Sequence, residues 1–556
     1  MKLQKLRGAI LGGAMVAAAL IVACDSASNR HGGGGAGGTG GGAAGGTGGG
    51  GAGGGGGGGM TGDPVTCTDA ATQKSYVGCD YWPTVTPNLV ASYFDFTVVV
   101  ANTGTMDAMV TVTGPNAFNQ TVTVSASQLQ KIYLPWVASL KGADNSCGSG
   151  PALTSSMIEA KGAYHLVSSV PVVVYQFNAL EYKPEGGPAG KDWSACTNAA
   201  AQCGGGFQCF SYSNDASLLL PSTALTGNYR VTGWHNSLGM SHGEFMSITG
   251  TADATTVTVK LAAGSNVVAG TGVAAIAGGQ TGTYMINQGD VLQLAAVASG
   301  IGGIGSDVDP TGTLIKADKP VEVIAGDDCA NNPSGADACD HIEESVFPAE
   351  TLGKHYLISA PPGPQGMPVG HTVRLVGNVD GTNLTFNPAV TGAPATLNAG
   401  QVVDIGPTTT DFEVTGDHEF AAETVMQGGS VVDPGTPQLM QRGDPSESLF
   451  FAVEQFRTGY LFLAPSDYDV NYVVIVAPMT AMLVLDGTAV TATPTPIGTS
   501  TFGTFRVPIT AASSSGSHTL TSDQPMGIQV LGYGQYTSYQ YPGGGNLSLI
   551  APVPIG

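Results

Sequence analysis

The stretch GTLIKADKPVEVIAGD, residues 312–327, decides the fold. Leu314-Ile315-Lys316 and Val321-Glu322-Val323-Ile324 are short runs rich in β-branched residues. They flank the polar pair Ala317-Asp318 and then Pro320. Such runs predict strands, and Pro320, which has no N–H to give to a ladder, must open a strand or sit at an edge. The polar pair predicts a turn that reverses the chain. The same pattern recurs as AYHLVSSVPVVVYQFN (163–178), DFEVTGDHEFAAETVMQG (411–428) and SHTLTSDQPMGIQVLGYG (517–534), with Pro171 and Pro525 in the place of Pro320.

Two further elements recur in step with it. A Thr/Val strand precedes each copy: MVTVTGP from Met109, TTVTVKLA from Thr255, TNLTFNP from Thr382 and AMLVLDGTAV from Ala481. An apolar entry segment reads LLLPSTALTGNY from Leu218, SVFPAETLGKHY from Ser345 and LFFAVEQFRTGY from Leu449, and SLIAPVPIG from Ser548 resembles it again. A repeat at this period, with period-two alternation and little helical periodicity, predicts an all-β chain. The expected architecture is tandem sandwich-like units of about six strands, with a β-propeller as the alternative. The predicted repeats are 63–217, with a Cys-rich insertion, then 218–344, 345–448 and 449–556.

The start of the chain reads differently. Lys2, Lys5 and Arg7 precede an apolar run from Ala9 to Ala23, and Cys24 follows the small residue Ala23. This is the layout of a secretory signal, and a cysteine at the cut resembles the lipobox of bacterial lipoproteins. The resemblance implies cleavage after residue 23 and acylation of Cys24. The apolar run is shorter than the ~20 residues that span a bilayer. Residues 24–62 are expected to be a disordered tether, because Gly32 to Gly62 is nearly all Gly, with Ala, Thr and one Met, and has almost no side chains to bury. About 30 such residues reach roughly 30 Å. The expected location is the cell envelope, lipid-anchored, in the periplasm or at the cell surface, with the membrane contacted through the lipid.

Of 556 residues, 41 are Asp or Glu and 19 are Lys or Arg, for a net charge of −22. No basic block exists to neutralise phosphates, which excludes nucleic acid as a partner. With Cys24 acylated, eight cysteines remain: Cys67, Cys79, Cys147, Cys196, Cys203, Cys209, Cys329 and Cys339. An even number in an exported chain predicts disulfides. Proximity favours Cys329–Cys339 and Cys67–Cys79, and the other pairings stay open.

From Leu218 to Tyr356 the chain carries LLLPSTALTGNYRV, TTVTV, QGDVLQL, DPTGTLIKADKPVEVIAGDDC and CDHIEESVFPAETLGKHY in that order. This resembles the N-terminal domain family of IgGFc-binding proteins. The specific parts are T-G-T-x-I-x-x-D-K-P-V from Thr311 to Val321 and Cys339-Asp340-His341 ahead of Pro348. The resemblance implies a non-catalytic extracellular module of secreted and surface proteins. It carries no motif for Fc recognition onto this chain.

Three local patterns bear on chemistry. GMSHG (239–243) spells G-x-S-x-G, but it opens a strand and not the helix a nucleophile elbow needs, so no catalytic residue is assigned. Asp327, Asp328, Asp337 and Asp340 crowd hard oxygen ligands around the Cys329–Cys339 segment. Ca²⁺ is the one cofactor they would suit, and no other is implied. Tyr533, Tyr536, Tyr539 and Tyr541 among Gly and Ser resemble a recognition surface. The resulting expectation is a surface-anchored adhesion or binding protein for a protein or glycan ligand, not an enzyme. The alternatives are a structural envelope component and, resting on GMSHG alone, an exported hydrolase.

Overall fold

A computed structural model describes residues 62–144, 153–196, 208–235, 243–297, 308–336, 338–509 and 516–555. Cys24, the glycine tract up to residue 61, Cys147, Cys203, Ser241 and Asp337 lie outside the described residues. Among the described residues strands dominate, and helices are short turns such as Cys67–Gln73. No described helix is long and apolar enough to cross a membrane.

The decisive stretch behaves otherwise than expected. Leu314–Ala317 pairs with Thr255–Lys260, Ile315 opposite Val259. Val321–Ala330 pairs with Gly243–Gly250 in a different sheet, Val323 opposite Ile248. The two halves do not pair with each other, so the expected reversal at Ala317-Asp318 is corrected: the chain passes on from one sheet to the facing one. Pro320 breaks the ladder because it offers no N–H, and the chain resumes pairing on the other side. In the first and last repeats the same passage is one long strand, His165–Phe177 and Ser517–Gly534, with each half in its own sheet.

The polar residue at each crossing has a definite task. Asp318 Oδ1 accepts the Thr256 N–H at 2.8 Å, Asp417 Oδ1 that of Asn383 at 2.8 Å and Asp523 Oδ1 that of Met482 at 2.8 Å. Ser169 Oγ accepts from Met109 N at 2.9 Å. Each thus caps the Thr/Val strand of its own repeat, where the ladder would otherwise leave a donor unpaired.

Every repeat is a sandwich of two sheets built on four strands in one order, and Met157–Glu159 and Thr495–Pro496 each add a fifth strand to one sheet of the second and fourth repeats. In the third, Val402–Thr408, His371–Gly377, Phe420–Met426 and Glu447–Leu449 form one sheet. Thr396–Leu397, Thr382–Asn387, Phe412–Gly416 and His355–Ile358 form the other. The short edge strand Thr396–Leu397 takes the number of strands above the six expected; two residues are too few for alternation to register. The last strands of the first three repeats cross the expected boundaries: Ala216–Leu219, Asp340–Ser345 and Glu447–Leu449 straddle 217/218, 344/345 and 448/449.

Those last strands, with Thr537–Pro542, meet at the centre of the molecule. Ser217 Oγ donates to Glu343 O at 3.2 Å, and Asp215 accepts from the N–H groups of Glu343, Glu447 and Gln540. The fourth repeat also returns to the first: Tyr175 OH donates to Gly543 O at 2.8 Å, Phe177 packs on Tyr541, and Asn546 bridges Ser75. The four sandwiches therefore close in a ring around an axis, as propeller blades do. The apolar clusters follow: the sandwich of the third repeat encloses its own core, while that of the first is covered in part by Phe245, Val291 and Ile324 of the second.

Candidate functional site

A groove of about 1090 Å³ opens between the second and third repeats. Arg230, at the end of the strand Asn228–Arg230, and Lys260, at the end of Thr255–Lys260, stand on the second-repeat wall. Asn378, Asp380, Asn398 and Gln401 line the third-repeat wall. The two walls touch at Gly312 and Gly400. Both have left-handed backbone, φ +87° and +75°, and a Cβ on Gly312 would lie 2.2 Å from the Gly400 carbonyl. Only glycine fits there.

The groove lining is more apolar than polar, with Leu261, Leu314 and Val379 beside groups of both charges. Arg230 Nη1 donates to Gly312 O at 3.0 Å, while Nε has no partner. Burial pushes the Arg230 guanidinium below its ordinary value, and Asp380 pulls it back up. Ala399 N donates to Asp380 Oδ1 at 3.0 Å, so that carboxylate is fixed in place. Amides, one guanidinium and exposed backbone suit a ligand that is itself rich in hydrogen-bonding groups. Residues 552–555 of the chain already lie in the groove, with Pro554 buried and Val553 and Ile555 exposed at 55% and 91%. This segment thus forms part of the groove's lining.

The residues singled out from the sequence fall elsewhere. Tyr533, Tyr539 and Tyr541 are fully buried and Tyr536 is 6% exposed. Tyr539 OH donates to Asn471 Oδ1 at 2.8 Å, and Tyr541 OH donates to Leu463 O. The expected contact surface is corrected to core, because Ser517–Gly534 and Thr537–Pro542 are interior strands at the axis. Asp327 and Asp328 belong to a strand, not a solvated loop, and Asp340 opens another. Asp327 Oδ1 accepts Cys329 N at 2.7 Å, Asp328 Oδ2 accepts Leu153 N at 3.1 Å, and Asp340 accepts Asn214 N and Ser538 N. Among the described residues no group of three His, Cys, Asp or Glu is arranged to hold a metal ion.

The cysteines resolve into Cys67–Cys79, Cys196–Cys209 and Cys329–Cys339. Three disulfides suit an oxidising compartment. Arg230 and the axial Asp215 escaped the sequence reading. The signal for Asp215 is a lone acid directly ahead of the apolar run ASLLLP, where a strand buried on both faces begins.

Comparison with known proteins adds two matches. The model of a family described as IgGFc binding protein matches residues 215–532. That span runs from Asp215 into the last sheet-crossing strand and holds both walls of the groove. The IgGFc-binding protein of Homo sapiens is 28% identical over 144 residues, which take in 25% of this chain and 2% of the human protein. The chain thus aligns with a small fraction of that relative's length. No solved structure matches the chain.

Proposed function

The chain belongs to the IgGFc binding protein family, and from that premise we propose that it is a non-catalytic binding protein displayed from a membrane surface. It takes its protein or glycan ligand in the groove between the second and third repeats. The observation that carries this reading is the groove itself: a channel of about 1090 Å³ lined by the second and third repeats and by the proline-containing segment 552–555. Both walls lie inside the family-matched span. The matched human protein is named for IgG Fc, which makes an Fc fragment the first protein to try. The disulfides agree with export, and Cys24 behind its apolar run supplies the anchor, with the glycine tract as spacer.

The test has two arms. Immobilised IgG Fc and a glycan array are probed with the intact protein and with a Lys260→Glu/Gln401→Ala double variant, one change on each wall. The expected result is binding by the parent and at least a tenfold loss in the variant at unchanged Tm. Equal binding by both, or by neither, ends the groove reading. Separately, labelling with radioactive palmitate should mark the parent and spare Cys24→Ala. Equal labelling ends the anchor.

A further inference from the structure

The axis where the four repeats meet is crowded with buried carboxyl groups. Asp215, Asp340, Glu343, Glu344, Glu423, Glu447 and Glu322 are each no more than 3% exposed. They come from three repeats. Glu447 and Glu423 lie on adjacent strands of one sheet, diagonal across the ladder in which Glu423 faces Leu449 and Val425 faces Glu447. Both carboxyl groups are buried, and Glu423 Oε1 and Glu447 Oε2 have no hydrogen-bond partner among the described residues. A buried carboxyl oxygen with neither a donor nor a cation beside it favours the protonated form of the group.

The groups facing that pair are mostly acidic. From the first repeat comes Asp215, whose two oxygens receive Ala216 N, Ser446 Oγ, Glu343 N, Glu447 N and Gln540 N. From the second come Glu344, with Leu218 N on Oε1 at 3.1 Å, and Gly233, whose N–H donates to Glu423 Oε2 at 3.0 Å. Asp340 faces Asp215 and Asp444. Glu343 is held by Thr86, Gln176 and Asn178 with His341 at 3.5 Å, and Glu322 stands beside it with neither oxygen partnered. The cation near the pair is Arg374, opposite Glu423 in the ladder, and it is already bound to Asp309 and Asp404. Among the described residues no Lys or Arg forms an ion pair with Asp215, Asp340, Glu344 or Glu447.

We propose that this junction is proton-gated: the four repeats stay closed on one another while the axial carboxyls, Glu423 and Glu447 among them, hold protons, and the junction loosens when rising pH removes them. Burial pushes Glu447, Asp340 and Glu344 well above the ordinary carboxylate range. It also pushes Glu423 up to about 7, although Arg374 opposes the shift. A carboxyl raised in this way keeps its proton in the closed ring where the unfolded chain would lose it at about pH 4. The closed form then binds more protons, and its stability falls as pH rises from about 4 through the folded pKa values. An exported binding protein built this way holds its four-repeat platform together in acidic surroundings and relaxes it in alkaline ones.

The experiment is a Tm series on the intact protein from about pH 5 to pH 9, with Glu447→Gln beside it. The parent's Tm should fall across the series. The variant, which keeps the shape of the side chain without the charge, should show a flatter profile and overtake the parent at the alkaline end. Should the variant fail to fold, infrared spectra of the parent decide: a protonated-carboxyl carbonyl band should persist above pH 7 and disappear as the Tm drops. A flat parent profile, or no such band above pH 7, overturns the proposal. So does recovery of the alkaline Tm by calcium chloride, which would assign the axis to a cation.

Discussion

The carboxylate of Asp215, ahead of the first repeat's axial strand, accepts the backbone N–H of Gln540, in the last repeat's axial strand, at 3.2 Å and 325 residues away in sequence. The same carboxylate takes the N–H of Glu343 and of Glu447, each at 3.2 Å, and the Ser446 hydroxyl at 2.6 Å. One side chain of the first repeat thus satisfies donors from the other three. A ring of sandwiches leaves the edge of each last strand facing the axis, and Asp215 supplies the acceptor those edges would otherwise lack.

Asp215→Ala should therefore damage the whole ring. Each buried donor left without a partner costs about 1–3 kcal/mol, and three inter-repeat amides are involved. A loss of about 4 kcal/mol or more is expected, read as a lower urea midpoint. Asp215→Asn retains one acceptor oxygen and should lose less. Equal losses for the two variants, or a loss under about 1 kcal/mol for the alanine, would contradict the role given to this carboxylate.

Arg374 joins the second and third repeats, and it governs the acid side of the stability profile. Its Nη2 binds Asp309 at 2.5 Å, its Nε binds Asp404 at 2.8 Å, and its guanidinium lies over Trp234. Burial pushes Asp309 up, yet the Arg374 charge and hydrogen bond overcome it and hold that carboxyl below the usual range. A depressed carboxyl contributes stability that is complete above its unfolded pKa of about 4 and is lost as pH falls through the folded value. Arg374→Met leaves the part-exposed Asp309 and Asp404 without their charged donor, so about 1.5–3 kcal/mol should disappear at neutral pH. Less should be lost at about pH 3, where Asp309 is protonated in the unfolded chain. Urea midpoints at the two pH values check this, and a loss independent of pH would refute it.

Gly312→Ala tests the floor of the groove. The backbone there is left-handed, and a methyl group would lie 2.2 Å from the Gly400 carbonyl oxygen. Strain of about 1–3 kcal/mol follows, and relief requires the two walls to part. The variant should melt lower and bind any groove ligand more weakly. Gly392→Ala also replaces a left-handed glycine, but in open space, so it should lower the Tm without touching binding.

Much of the architecture was legible in the sequence because it repeats. The crossing element, the Thr/Val strand and the entry segment all occupy equivalent places, and the residues at the crossings recur as Ser169, Asp318, Asp417 and Asp523. What the crossing does was not legible. A polar pair between two strand-like runs looks the same whether the chain reverses or passes into a facing sheet, since only pairing partners distinguish them. Tyr533, Tyr539 and Tyr541 were misplaced for a related reason. Tyr among Gly and Ser suits an exposed loop, but here glycines let rings pack close: a Cβ on Gly532 would lie 2.4 Å from the Tyr539 ring. The groove is assembled from residues more than a hundred positions apart, so no local pattern announces it.

Cys329–Cys339 closes a short loop whose two ends are functional parts of the ring. Val321–Ala330 runs into it, and Asp340–Ser345 leaves it toward the axis. Asp340, next to the bridge, accepts Asn214 N at 2.9 Å, Thr537 Oγ1 at 2.9 Å and Ser538 N at 3.2 Å. The Cys67–Cys79 bridge spans a similar separation, 12 residues against 10, but ties the first turn of helix to the outer sheet of the first repeat. Loop-closure entropy assigns each about 2–3 kcal/mol, so global stability alone does not separate them. Position does: replacing Cys329 and Cys339 by Ser should speed amide exchange at Ser538 and Asn214, whose acceptor is then loosely held, while replacing Cys67 and Cys79 should leave those amides protected. Equal exchange in the two variants would show that the bridge near the axis acts on the unfolded chain alone.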